Sequence, residues 1–116
     1  MKQVSTIGMD IAKSVFHVFG VDDAGQVTLD RQLSRGKVLG FFSKLPPCLV
    51  GMEACASAHY WAREIAAFGH EVRLMPPSRV KAYVKPGSKN DRADAAGCCE
   101  AVTRPSSYRS RSASCA

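Results

Sequence analysis

Four acidic residues stand where carboxylates can do chemistry: Asp10, Glu53, Asp91 and Asp94. Asp10 closes a short apolar run over residues 4–10 (VSTIGMD), and Glu53 closes another over residues 48–53 (CLVGME). Asp91 and Asp94 are three apart, so on a helix they share a face. Carboxylates brought together repel where water is partly excluded, and divalent cations relieve that repulsion. Mg²⁺ takes hard oxygen ligands and keeps several waters. Two such ions ~3.5–4 Å apart activate a water or hydroxyl and stabilise the leaving oxygen of a phosphodiester. The quartet therefore predicts a catalytic site for Mg²⁺ or Mn²⁺. Plainer explanations stand beside this one. Asp is a common turn former, and the helix dipole favours acids in a first turn. Glu53 is harder to explain away, because an unpaired carboxylate is costly to bury at the end of an apolar strand.

The elements that must position these acids can be read from pattern. Residues 4–10, 14–20 and 26–33 read as three strands, with the turn Asp22-Asp23-Ala24-Gly25 between the second and third. Short gaps make them an antiparallel meander. Val38, Leu39, Phe41, Phe42 and Leu45 recur at helical spacing until Pro46-Pro47. Residues 48–53 read as a buried parallel strand. Ser57 is a candidate cap for a helix with the core stripe Trp61, Ile65 and Phe68, closed by Gly69 at C′. Residues 71–75 form a fifth strand. Ser78 can cap a short helix to Val84, and a last helix runs from Asn90 or Asp91 to about Thr103.

The order is β-β-β-α-β-α-β-α-α, that of an α/β, RNase H-like three-layer domain with a mixed five-stranded sheet. In that fold strands one and four are parallel neighbours, so Asp10 and Glu53 leave the same edge, where open α/β sheets bind ligands.

The chain has 116 residues, enough for one core, and is 46% hydrophobic and 22% charged. We expect one domain over residues 1–104 and a disordered Ser/Arg-rich tail over 105–116. No apolar run approaches the ~20 residues that span a bilayer, and no signal peptide is visible, so a cytoplasmic location is expected. Five cysteines with no C-x-x-C pair fit reduced, mostly buried thiols. The net charge is +6, and from Ser78 onward eight basic residues face three acids. That excess suits a polyanion, or simply a solvated face. His17 reads as a surface residue of strand two. His59, near Glu53 in sequence, is a candidate neighbour of the acids.

The segments IGMDIAKSVFHVFGVD, PPCLVGMEACASAHYWAREIAAFGHEVRLMPP, VKAYVK and KNDRADAAGCCEAVTRP carry the motifs G-x-D-x-A-K, G-M-E-A and N-D-x-x-D-A in order. Over roughly residues 4–105 the chain resembles the N-terminal domain of the DEDD-type insertion-sequence transposases, the group that includes the pilin gene-inverting recombinases. The resemblance implies a RuvC-like fold and Asp10, Glu53, Asp91 and Asp94 as the metal-binding quartet. It implies DNA as substrate, divalent-metal chemistry, a structured guide RNA, and a homo-oligomer in the full-length family member. It places Lys13, Lys81, Lys85, Lys89 and Arg92 against nucleic-acid phosphates. Family members continue into a C-terminal domain with a nucleophilic serine, so a truncated or frame-shifted copy is expected, inactive by itself in transposition.

Two other functions compete. A non-catalytic nucleic-acid-binding module would use the basic C-terminal third alone. An actin-like or sugar-kinase ATPase domain also opens on I-G-x-D, but it wants a Gly-rich phosphate loop where this chain has Ala12-Lys13.

Overall fold

Alternating side chains and tight connections build one mixed sheet. The computed structural model describes residues 3–12, 14–84 and 91–103, with the backbone alone of Asp91. β1 (Thr6–Asp10), β2 (Val15–Val21) and β3 (Val27–Ser34) pair antiparallel as a meander. β4 (Leu49–Glu53) runs parallel to β1, and β5 (Glu71–Met75) parallel to β4, giving the order β3-β2-β1-β4-β5. The helices are α1 (Val38–Ser43), α2 (Ala58–Ala66), α3 (Pro77–Lys81) and α4 (Asp91–Thr103), with a 3-10 turn at Arg35–Lys37 before α1. The element order is the expected one. The anticipated tail lies outside the described residues.

The register sorts side chains onto two faces, because cross-strand partners point to the same side. Ile7 and Met9 share a face with Val18 on β2 and with Val50 and Met52 on β4. This face packs against Val38 and Phe42 of α1 and Trp61 and Ile65 of α2. The Phe16 and Trp61 rings meet edge-to-face at 4.9 Å. On the other face, Met75 packs with Val80 of α3 and with Cys98, Ala101 and Val102 of α4.

Several local expectations need correction. Phe68 is not in the core: α2 ends at Ala66, and the ring is 40% exposed while Trp61 and Ile65 are buried. Ser57 precedes α2 with helical backbone angles and makes no side-chain capping bond. Gly69 adopts φ +99 one position later than C′, after the C-cap Ala67. α3 begins at Pro77, whose fixed φ suits the first helical turn, so Ser78 lies inside it. His17 is buried, not at the surface, because α4 covers the face of β2 on which it lies.

Candidate active site

Two glycines decide how the acids are arranged. Gly8 and Gly51 are register partners on adjacent parallel strands. A Cβ on Gly8 would stand 2.1 Å from the Ala95 carbonyl oxygen and 2.2 Å from the Cys99 nitrogen. A Cβ on Gly51 would stand 2.5 Å from Val102 Cβ. α4 thus lies directly on the sheet here, closer than any side chain permits. Asp10 and Glu53 each come two residues after one of these glycines, so both acids share the face that α4 covers. The β1–β4 ladder runs to Met9↔Met52, which sets Asp10 and Glu53 side by side at the strand ends. Both are half-buried.

Cys98 of α4 reports the convergence. Its buried thiol is pushed up to about 12, first by burial and then by the negative charges of Asp10, Glu53 and Asp94. A hydrogen bond with the Glu53 backbone pulls the other way. Three acids from β1, β4 and α4 therefore share the neighbourhood of one thiol. Asp94 is half-buried. Asp91 begins α4, and its side chain lies outside the described residues. Among the described residues no three His, Cys, Asp or Glu side chains form a group that could by itself hold a metal ion. The donor set is nevertheless all hard carboxylate oxygen, which fits Mg²⁺ or Mn²⁺ and not a thiolate-seeking metal.

The basic residues separate. Lys13, Lys85 and Lys89 lie outside the described residues. Lys81 is exposed at the end of α3. Arg92 is engaged within the fold: its Nε donates to Asp30 Oδ2 at 2.5 Å, and its guanidinium stands 5.2 Å from the centre of the Phe19 ring. His59 is exposed on α2, on the opposite side of the sheet from α4. Cys48, Cys55, Cys98 and Cys99 are all free thiols, and all but Cys55 are buried.

Sequence reasoning did not single out Gly8, Gly51 or Cys98 as site-builders. The signal was present as a repeat, I-G-M-D in β1 and V-G-M-E in β4. Each copy sets a glycine two residues before an acid.

The family model of the IS110-type DEDD transposases matches residues 7–113. The chain belongs to this transposase family. It is 58% identical over 103 residues to a probable family 20 transposase of Pseudomonas aeruginosa, covering 89% of this chain and 30% of that protein. It is 42% identical over 108 residues to the transposase for insertion sequence element IS1328 of Yersinia enterocolitica, covering 93% of this chain and 32% of that one. The chain thus spans about a third of the length of these transposases. Among solved structures it is similar to T. thermophilus RuvC in complex with Holliday junction substrate, with a TM-score of 0.58 and 11% identity over 83% of this chain and 90% of that one. The fold is RuvC-like, an RNase H-like α/β domain. No described helix is long and apolar enough to cross a membrane.

Proposed function

We propose that this RuvC-like transposase domain supplies the divalent-metal part of a site that acts on DNA phosphodiesters. One observation carries the reading: Asp10 and Glu53 leave neighbouring parallel strands on the face covered by α4, and Asp94 of α4 joins them around Cys98. Membership in a transposase family supports DNA as the substrate.

Asp10, Glu53, Asp94 and Asp91 would hold the metal. Bound there, Mg²⁺ or Mn²⁺ would polarise a phosphodiester and lower the cost of forming an attacking hydroxide. The chain's own residues set the conditions. The two strand ends fix Asp10 and Glu53 on rigid backbone, and α4, lying on the same face, carries Asp94. The Cys98 thiol stays protonated at neutral pH, so it packs among the carboxylates without adding a negative charge. Exposed Lys81 is suited to a DNA phosphate near this helix layer. The chain spans about a third of the length of the related transposases, and the metal-holding part is the role proposed for it.

Mn²⁺ titration followed by electron paramagnetic resonance tests the reading. The wild-type chain is expected to bind Mn²⁺, and Asp10→Asn, Glu53→Gln and Asp94→Asn each to weaken that binding. A wild-type chain that binds DNA but leaves Mn²⁺ free would favour a nucleic-acid-binding module instead.

A further inference from the structure

Arg92 lies between Asp91 and Asp94 in sequence, yet its side chain leaves the acids and crosses to the far half of the sheet. Its Nε meets Asp30 Oδ2 on β3 at 2.5 Å. The other oxygen of that carboxylate, Oδ1, accepts from His17 Nε2 at 2.7 Å. His17 is itself the cross-strand partner of Asp10. It is buried, and its Nδ1 has no hydrogen-bond partner among the described residues. The network thus joins β2, β3 and the first turn of α4.

We propose that His17, Asp30 and Arg92 are positioning residues: a clasp that fixes the first turn of α4 and with it the place of Asp94 relative to the strand ends bearing Asp10 and Glu53. The proposal rests on the reading of these acids as a metal site. The composition of α4 explains why a clasp is needed. Its second half is held by shape, with Cys99 and Val102 seated against Gly8 and Gly51 and the Cys99 thiol donating to the Thr6 carbonyl. Its first turn, Asp-Arg-Ala-Asp, precedes the close approach of Ala95 to Gly8 and has no bulky apolar group to define rotation about the helix axis. A long arm ending on a fixed carboxylate defines that rotation. The Phe19 face beneath the guanidinium limits its sideways freedom. The hydrogen bond from His17 holds the Asp30 carboxyl below the ordinary range against a desolvation effect of opposite sign, and Arg92 adds to the lowering.

Groups that orient metal-binding carboxylates cost about 10–100-fold in metal affinity when removed. The test uses the whole chain with Mn²⁺ alone, beside hydrogen exchange of the metal-free protein. Arg92→Met and Asp30→Asn are each expected to weaken Mn²⁺ binding about 10-fold or more. Both should speed amide exchange in the first half of α4 while sparing the second half. The double variant should be no worse than either single, because both break one network. Arg92→Lys keeps the charge but loses the Nε donor, and should fall between wild type and Arg92→Met; it also serves if Arg92→Met fails to fold. Wild-type Mn²⁺ affinity and unchanged exchange in these variants would overturn the clasp. If the wild-type chain binds no Mn²⁺, the metal reading fails by itself. The exchange data then still decide the clasp: faster exchange confined to the first half of α4 supports it, and unchanged exchange removes it.

Discussion

Glycines of β1 and β4 and a thiol of α4 shape this site, and each can be tested by itself. At Gly8 the obstacle to a methyl group is helix backbone, the Ala95 oxygen and the Cys99 nitrogen. Backbone cannot rotate away, so Gly8→Ala must lift α4 from the sheet. At Gly51 the obstacle is the Val102 side chain, which can be trimmed. Overpacking of this kind costs about 1–3 kcal/mol, and more where the neighbour is rigid. Thermal unfolding should therefore show a larger loss for Gly8→Ala than for Gly51→Ala. Adding Val102→Gly, which removes the Cβ that stands 2.5 Å away, should relieve the clash at Gly51 and not at Gly8; equal relief at both would contradict the geometry. Cys98 gives a second prediction. Its thiol is buried and pushed up to about 12, whereas Cys55 is exposed. Iodoacetamide at pH 8 should modify Cys55 first and reach Cys98 only on unfolding, with the sites resolved by mass spectrometry.

At the scale of elements, the order of strands and helices was legible because each carries its own signal. Period-two alternation marks β3, Pro46-Pro47 ends the region of α1, and short apolar runs mark β1 and β4. What was not legible was which faces the helices cover. His17 illustrates it. On β2 it alternates with Phe16 and Val18 and so reads as solvent-facing, yet α4 lies over it. His70 shows the same limit. Its Nδ1 accepts from the Cys48 backbone N–H at 3.1 Å, and its Nε2 donates to the Phe42 carbonyl at 2.8 Å. The neutral ring thereby ties the end of α1 to the start of β4. His70→Ala leaves the Cys48 N–H buried without that partner, a cost of about 1–3 kcal/mol. We expect a Tm lowered by roughly 4–8 °C per kcal/mol, measured by circular dichroism. An unchanged Tm would show that the tie carries no stability.

For the whole molecule, buried thiols set a limit at high pH. Cys48 and Cys99 are pushed up to about 11 by burial, and Cys98 to about 12, from the ordinary 9.0. Below pH 9.0 these thiols are protonated in both folded and unfolded chains. Above it the unfolded chain releases protons that the folded chain keeps, so stability falls as pH rises from about 9 to 11–12. Urea unfolding across that window should show the decline, and Cys48→Ala should make it shallower. A flat profile would mean the thiols ionise alike in both states.

The amino-acid sequence by itself determined the element order, the family motifs and the identity of the candidate acids, because local pattern and residue type carry that information. Asp10 and Glu53 could be paired from strand order alone. The tertiary structure decided what no local pattern contains: that Gly8 and Gly51 bring α4 onto the sheet, and that Cys98 of α4 is buried within reach of the charges of Asp10, Glu53 and Asp94. It also paired Arg92, expected from the family resemblance at nucleic-acid phosphates, with Asp30 of β3. The reason is physical. Which helix covers which face depends on contacts between residues far apart in the chain, and a glycine shows its purpose only when the atom filling its missing side chain's place is known.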